Sequence, residues 1–262
     1  MIEILSIILL FVFLGISSYQ DWKTREVTDW VWVTLLIMGL VINVIIILST
    51  RNWVQTLSKI ALSTIIATSI GFILFYLYLW GGGDLLVYIA ASFVSATLPI
   101  PLHSPKSFEI LPFSFSALTN AYLLTALLPG YLLLENTYRR FLKGEQIFEG
   151  LNASTRHKLF AALVGRPIRP ETLWLNPSSF YTVVEEKNEN IWNLNFHSGM
   201  KFQDEALDAQ KQLILQEVRN DHKQYVWISY NLPFLLPLTI GFLITTIYGT
   251  LLLHMWYLLR AL

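Results

Sequence analysis

The stretch FILFYLYLWGGGDLLVYIAASFV, residues 72–94, sets a single acid between two long apolar runs. Gly81, Gly82 and Gly83 directly precede that acid, Asp84. A carboxylate at a membrane boundary is costly to desolvate, so it usually serves a function. Glycines beside it remove side-chain bulk and permit backbone conformations that other residues avoid. This junction is therefore the first candidate for a functional site.

The composition is that of a polytopic membrane protein. Of the 262 residues, 54% are hydrophobic and only 14% are charged, whereas soluble domains have about 25% charged residues. The 18 basic and 18 acidic residues cancel, so the net charge indicates no nucleic-acid partner. The sequence has no cysteine, which excludes disulfides, thiolate catalysis and zinc ribbons.

Six apolar segments are predicted to be transmembrane helices, since a span needs about 20 mostly apolar residues. They cover residues 4–19, 30–49, 60–80, 85 to 99 or 101, 110–134 and 232–259. The first is interpreted as a retained helix rather than a signal peptide, because no small-residue cleavage site follows it. Asp29 is expected to cap the second. The predicted fold class is an all-α polytopic membrane protein with six transmembrane helices and a small α+β cytoplasmic insertion before the last one.

The predicted insertion is polar and divides the chain into three parts, residues 1–134, 135–229 and 230–262. Within it we expect a continuation of the fifth helix, a helix lying on the membrane surface, two strands around a polar turn and an amphipathic helix. These lie at residues 136–142, 155–164, 181–184 with 191–196, and 205–218, respectively. No internal repeat is visible in the chain.

A second acid, Asp21, closes the first apolar run. With six helices, the loop after Asp21, the glycine turn and the insertion share one side of the membrane. Arg139 and Arg140 follow the fifth helix directly, so this side is predicted to be cytoplasmic and both termini to be outside. Asp21 and Asp84 then lie at the same depth, and they are neighbours if the first and third helices pack together.

Two neighbouring carboxylates would have a defined chemistry. Because like charges repel in a poorly solvated site, one acid keeps its proton and the pair titrates as a unit. The ionised member can deprotonate a water molecule while the protonated member donates to a carbonyl oxygen, as in aspartic proteases. Such a site needs no metal or cofactor, and we predict neither. The glycines would let a substrate backbone approach Asp84 closely.

The two acids also carry a family resemblance. Gly81-Gly82-Gly83-Asp84 fits a Gly-x-Gly-Asp motif, and Asp21-Trp22-Lys23-Thr24-Arg25-Glu26-Val27 follows the first helix. Together they resemble the archaeal prepilin and preflagellin peptidases, membrane aspartic proteases related in chemistry to presenilin. The resemblance covers the whole layout, including a proline-rich entry to the last helix at residues 231–237.

The resemblance implies a function and the residues that perform it. It implies a plasma-membrane endopeptidase that removes the short, positively charged leader, a class III signal peptide, from archaeal pilin-like and flagellin precursors on the cytoplasmic side. Asp21 and Asp84 match the family's two catalytic acids. Bacterial relatives often carry a cysteine-rich zinc module and N-methylate their product. This chain has no cysteine, so neither the module nor that activity is expected.

Two other functions stay open. A proton-coupled transporter could use Asp21 and Asp84 as a relay, although transporters usually place such acids near mid-membrane in repeated halves. A non-catalytic scaffold with a cytoplasmic lobe would leave the paired acids unexplained. Taken singly, Asp84 could merely cap the fourth helix, and Asp21 could be an ordinary interfacial acid.

Other polar and aromatic residues have simpler interpretations. Lys23 and Arg25 are topology determinants or neighbours that influence Asp21. Three acids of the insertion could attract a cationic leader, although we favour the simpler interpretation that they lie in a solvated loop. These acids are Glu185, Glu186 and Glu189. The basic face around Arg156 and Lys158 is expected to meet anionic lipid headgroups. Four tryptophans are assigned to an interfacial belt: Trp22, Trp30, Trp80 and Trp256. Four histidines show no metal-ligand spacing: His103, His157, His197 and His222.

Overall fold

The computed structural model describes residues 2–77, 79–98, 111–175, 181–188, 191–194, 216–218, 220–221, 223–230 and 233–261. The chain forms two compact units. The helical unit comprises Met1–Thr125 and Pro233–Leu262, and the mixed unit comprises Ala126–Leu232. The helices are α1 (Ile2–Thr24), α2 (Asp29–Ser49), α3 (Trp53–Tyr76), α4 (Gly82–Ser95), α5 (Phe113–Thr125), α6 (Leu127–Phe141), α7 (Thr155–Val164), α8 (Pro170–Leu175), α9 (Leu235–Tyr248) and α10 (Leu251–Ala261). The strands are β1 (Gly165–Ile168), β2 (Tyr181–Val183), β3 (Glu185–Asn188), β4 (Ile191–Leu194) and β5 (Val226–Tyr230).

Within these residues, four helical segments are long and apolar enough to cross a membrane. They are Ile2–Thr24, Asp29–Ser49, Trp53–Tyr76 and Phe113–Phe141. The helices α4 and α9 are also apolar, but each has only 14 residues. Many large apolar side chains face outward, which suits a surface in contact with lipid rather than water. The mostly helical membrane protein is therefore confirmed, with four spans meeting the length criterion where six were predicted.

Several predicted helix boundaries shift. The third helix begins at Trp53 and ends at Tyr76, before the glycines, and the fourth ends at Ser95. Asp29 is the first helical residue rather than the cap, so that prediction is wrong. Its carboxylate accepts a hydrogen bond from the Trp32 indole at 3.1 Å instead. The continuation of the fifth helix is confirmed, because α6 extends to Phe141.

The predicted single last helix is wrong, because it breaks between α9 and α10. Gly249 has a φ of 79°, a left-handed conformation that suits glycine. Asn120 of α5 supplies hydrogen bonds to backbone groups that lose their helical partners at this break. Its side-chain amide donates to the Gly249 carbonyl oxygen at 2.9 Å, and its carbonyl oxygen accepts from the Leu251 N–H at 2.9 Å. A break inside an apolar helix is stable when neighbouring side chains satisfy the freed backbone groups in this way.

Small residues bring the apolar helices close together, as is common where lipid removes the hydrophobic driving force. The clearest case is α9 against α5. A Cβ added at Gly241 would clash with the Ala117 carbonyl oxygen and would lie 2.9 Å from the Ala121 nitrogen. The two backbones are therefore in direct contact.

The short helix α4 is the centre of the helical unit, and it packs against α1, α2, α3 and α5. Val94 of α4 packs against Gly39 of α2. The side-chain amide of Asn43, also in α2, donates a hydrogen bond to the Phe93 carbonyl oxygen at 2.9 Å. The condition set from the sequence, that the first and third helices pack together, is not met. In the part of the chain that the structure describes, α1 and α3 make at most marginal contact. Asp84 belongs to α4, and α4 itself lies against α1.

The mixed unit contains the predicted helix at Thr155–Val164 and two small antiparallel sheets. One sheet has the order β1-β5-β2, and the other pairs β3 with β4. The two predicted strands are present as β2 and β4, but the predicted polar turn is wrong, since its first residues belong to β3. The strand β3 pairs with β4, and β2 pairs with β5. Sequence periodicity over four or five residues could not reveal β1 or β5. Of the predicted helix at 205–218, only residues 216–218 are described, and they are helical.

The mixed unit has its own core, in which Trp227 is fully buried. Its indole N–H donates to the Ile147 carbonyl oxygen at 2.7 Å, and its ring stacks on Phe148 with centroids 4.7 Å apart. Glu185 is also buried, and its carboxylate accepts the Trp227 N–H at 2.9 Å and pairs with Lys223. Burial raises the pKa of the Glu185 carboxyl, and the Lys223 ammonium opposes this shift. Glu185 is thus a structural acid, and the idea that it attracts a cationic leader is wrong.

Replacing Gly241 by leucine should prevent α9 from packing on α5. Because the new side chain would meet backbone rather than a flexible side chain, we expect a loss of about 3 kcal/mol or more in the free energy of unfolding. Gly15→Leu is the control, since nothing lies within 4 Å of a Cβ there. Thermal unfolding in detergent measures both variants. Equal stability of the two would contradict the close contact.

Replacing Lys223 by methionine should destabilise the mixed unit, because the buried Glu185 carboxylate loses its cation. We expect a loss of about 3–5 kcal/mol near neutral pH. The raised pKa of Glu185 means that this carboxyl group binds its proton more tightly in the folded state than in the unfolded chain. The loss should therefore shrink as the pH falls. Lys187→Met is the control, since Lys187 pairs with the exposed Asp221. A variant whose stability does not depend on pH would refute this account.

Candidate active site

Asp21 is buried in the last turn of α1, with 7% of its surface exposed. Its Oδ2 accepts a hydrogen bond from the N–H of Leu235 at 3.2 Å. Leu235 is the first residue of α9, so the positive end of that helix dipole also faces the carboxylate. One turn earlier, the Ser18 hydroxyl donates to the Leu235 carbonyl oxygen at 2.9 Å and pairs with the Thr239 hydroxyl at 2.7 Å. The beginning of α9 therefore fixes the position of Asp21.

Asp84 lies in the first turn of α4 and is half-buried. Its Oδ2 accepts a hydrogen bond from the Gly81 N–H at 3.1 Å. This contact satisfies one of the backbone donors that every helix leaves unpaired at its start. The carboxylate also lies at the positive end of the α4 dipole. The expected helix-capping contact and a candidate catalytic position thus coincide in one residue.

The two acids line the same cavity, which has a volume of about 350 Å³. Its other lining residues are Arg25, Glu26, Val27 and Gly81–Gly83. The loop after α1 lies beside the glycines, since a Cβ added at Gly83 would lie 3.4 Å from the Val27 Cβ. The structure therefore brings together both acids and all three glycines named from the sequence. It does so through the contact between α1 and α4.

Of the two properties expected of the glycines, only the absence of side-chain bulk fits the structure. None of the three has the left-handed φ that favours glycine, and Gly81 has an ordinary extended backbone with φ −77° and ψ 164°. The prediction of unusual backbone conformations is wrong. Gly82 has nothing within 4 Å of its missing side chain. The absence of side chains at these positions keeps the cavity beside Asp84 open.

An aromatic cluster lies under the glycine turn, and the sequence did not reveal it. Trp80 is 5% exposed, so its assignment to an interfacial belt is wrong. Its ring packs against Tyr88 of α4 at 5.2 Å and Phe234 at 5.0 Å, and Phe234 packs against Tyr122 of α5 at 5.3 Å. The cluster joins the start of α4 to the start of α9. It therefore connects the backbone segments that hydrogen-bond to Asp84 and Asp21.

Other predicted residues lie away from this cavity. Lys23 is exposed, with its ammonium 5.9 Å from the Tyr19 ring centroid. In the mixed unit, Arg156 is exposed, and Lys158 lies over the Phe148 ring at 5.8 Å. His103, His197, His222 and Glu189 fall outside the described residues, as does the side chain of Glu186. Among the residues that are described, no three His, Asp or Glu side chains group in a way that could hold a metal ion.

Two carboxylates at adjacent helix ends, facing one cavity in a membrane protein, are typical of membrane aspartic peptidases. Comparison with protein families agrees. The sequence profile of the type IV leader peptidase family matches residues 8–132, and that of the archaeal peptidase A24 C-terminus, type II, matches residues 157–251. The chain belongs to the type IV leader peptidase family, in the archaeal group that contains the preflagellin peptidases.

Individual relatives are similar over most of their length. A preflagellin peptidase of Methanococcus voltae is 26% identical over 238 residues, which cover 89% of this chain and 91% of the relative. A preflagellin peptidase of Methanocaldococcus jannaschii is 24% identical over 238 residues, or 89% of each protein. That of Methanococcus maripaludis is 20% identical over the same length. The similarity includes both the apolar helices and the polar insertion.

Proposed function

We propose that this protein is a membrane aspartic endopeptidase that removes the leader peptide from preflagellin-type precursors. The family assignment and the similarity to three preflagellin peptidases support this activity. The observation that carries the proposal of mechanism is the shared cavity of Asp21 and Asp84. The pilin-like precursors named above belong to the same substrate class, a basic leader followed by an apolar helix.

In the proposed mechanism, one acid is ionised and the other is protonated when substrate binds. The ionised carboxylate takes a proton from a water molecule while the water oxygen attacks the carbonyl carbon of the scissile bond. The protonated carboxyl donates its proton to the carbonyl oxygen. The tetrahedral intermediate then collapses and the C–N bond breaks. The amine nitrogen takes up the proton abstracted from water, and one hydroxyl of the intermediate returns its proton to the carboxylate that donated earlier. Positioned acid–base groups of this kind typically contribute about 10²–10⁴-fold each to the rate.

The glycines would complete the site by admitting the substrate. A peptide bond can be attacked only if its backbone comes within contact distance of both carboxyl groups. Gly82 presents no side chain to the cavity and has open space around it. We propose that the extended leader passes over Gly81, Gly82 and Gly83 with its backbone against theirs.

We also propose the finer membrane topology. The short apolar helices α4 and α9 would complete six membrane-crossing segments, with α10 continuing the last one beyond its break. Arg139 and Arg140 at the end of α6 favour a cytoplasmic location for the insertion. The acids would then face the cytoplasm and both termini the outside. The division of the chain at residues 135 and 229 remains a prediction.

Replacing either acid by asparagine tests the function directly. The purified protein in detergent is mixed with a preflagellin, and leader release is followed by mass spectrometry. We expect Asp21→Asn and Asp84→Asn each to lower the cleavage rate at least about 100-fold, because each removes a proton-transfer group. Asparagine retains an oxygen that can accept the Leu235 or Gly81 hydrogen bond, so both variants should keep the fold.

Asp29→Asn is the matched control, since Asp29 follows the same loop but is exposed and bonded to Trp32. It should cleave at the wild-type rate. Cleavage that persists in Asp21→Asn or Asp84→Asn would refute the assignment of the two acids. Proton flux in liposomes without any leader release would favour the transporter alternative instead.

A further inference from the structure

Arg25 ends α1 in a conformation that few residues other than glycine adopt. Its φ is 62°, and among the described residues it is the only non-glycine with a left-handed backbone. Its N–H donates to the Asp21 carbonyl oxygen at 3.2 Å, which closes the helix in the manner of a left-handed C-cap. Glycine is the usual residue at such a position because a Cβ is unfavourable there. A non-glycine residue at this position therefore carries local backbone strain.

Neighbouring hydrogen bonds hold the loop in place. The Thr24 hydroxyl bonds to the Gln20 carbonyl oxygen at 2.9 Å and to the Glu26 carbonyl oxygen at 3.1 Å. The Gln20 side-chain oxygen in turn accepts from the Thr28 N–H and the Thr28 hydroxyl, each at 3.1 Å. Residues 24–28 are thus tied back to α1. The backbone at Arg25 is therefore restrained by hydrogen bonds on both sides of it.

That side chain enters the cavity that holds the two acids. Arg25 is partly buried and lines the cavity together with Asp21 and Asp84. Burial lowers the pKa of its guanidinium, while the charges of Asp21 and Asp84 raise it. Its charge therefore shares one cavity with both carboxylates. Lys23, two residues earlier, is exposed and lies beside Tyr19 instead.

The charged and titratable groups around the guanidinium are few. Asp21 and Glu26 face the cavity from α1 and its following loop, and Asp84 faces it from α4. From α5, the Tyr122 ring lies in the aromatic cluster, 5.3 Å from the Phe234 ring centroid. Among the described residues that line the cavity, Arg25 is the single cation against three acids.

We propose that Arg25 is a positioning residue whose positive charge sets the protonation state of the Asp21–Asp84 pair. The proposal rests on the proposed peptidase function. A nearby cation favours ionised carboxylates, so it keeps the pair in the form with a single proton down to lower pH. Without the cation, the repulsion between the two acids is less compensated, and they hold both protons up to a higher pH. The strained backbone at position 25 is retained because it directs this charge into the cavity.

The test compares pH–rate profiles of leader cleavage for the full-length protein and its variants. Arg25→Gln should move the whole profile to higher pH by about half a unit or more, since opposite charges within a few ångströms commonly shift carboxyl groups by that amount. Arg25→Lys should restore most of the shift, because the charge returns. Arg25→Gly should keep the fold, since glycine suits the left-handed cap, yet show the same upward shift as Arg25→Gln. Lys23→Gln, which removes a cation from the same helix end, should leave the profile where it is in wild type.

A second readout does not depend on cleavage. Infrared spectroscopy of the protein in detergent follows the band of protonated carboxyl groups as the pH is varied, with Asp21→Asn and Asp84→Asn identifying the band of the pair. The band should persist to higher pH in Arg25→Gln than in wild type. If Arg25→Gln and Lys23→Gln titrate alike, the proposal is overturned even where cleavage itself is normal. The band could move as expected while neither the wild-type protein nor any variant releases a leader. That outcome would refute the peptidase function and leave the electrostatic role of Arg25 intact.

Discussion

The candidate active site depends on the contact between the end of α1 and the beginning of α4. This contact brings Asp21 and Asp84 to one cavity, although 63 positions separate them in the sequence. Neither acid is held by its own helix alone, since the start of α9 donates to Asp21 and the glycine turn donates to Asp84. Both acids therefore face helix beginnings, Asp21 that of α9 and Asp84 that of α4, where unpaired N–H groups and the helix dipole favour a negative charge. The fold stabilises two carboxylates that would otherwise be costly at a membrane boundary.

The sequence was sufficient for features that depend on local composition. Long apolar runs predicted α1 and α2 closely, because a span needs a minimum length of apolar residues whatever its neighbours are. The rarity of acids at the ends of such runs identified Asp21 and Asp84. The basic and apolar residues of 155–164 predicted α7 with the bounds observed. In each case the signal is contained within one segment, and no knowledge of packing is required.

The features that the sequence did not reveal depend on contacts between distant segments. From the sequence, the acids meet only if the first and third helices pack together, whereas in the structure the packing of α4 on α1 brings them together. The break after Tyr248 depends on Asn120, which is distant in the chain and supplies both hydrogen bonds. Trp80 resembled a membrane-interface residue, but Phe234 and Tyr88 enclose it. The strand pairing of the insertion was the most difficult feature to predict, because strands of three to five residues carry too little periodicity to identify their partners.

The most direct measurement of the central claim is a cross-link between the α1 loop and the α4 turn. The chain has no cysteine, so Val27→Cys and Gly83→Cys together introduce a unique thiol pair. A Cβ at Gly83 would lie 3.4 Å from the Val27 Cβ, close to the spacing of about 3.5–4.5 Å found in disulfides. Mild oxidation followed by thiol alkylation and mass spectrometry should show nearly complete disulfide formation in this variant. Val27→Cys with Gly82→Cys, whose side chain would point into open space, should cross-link far more slowly. Two free thiols in the first variant would mean that α1 and α4 do not meet there, and would contradict the account of the site.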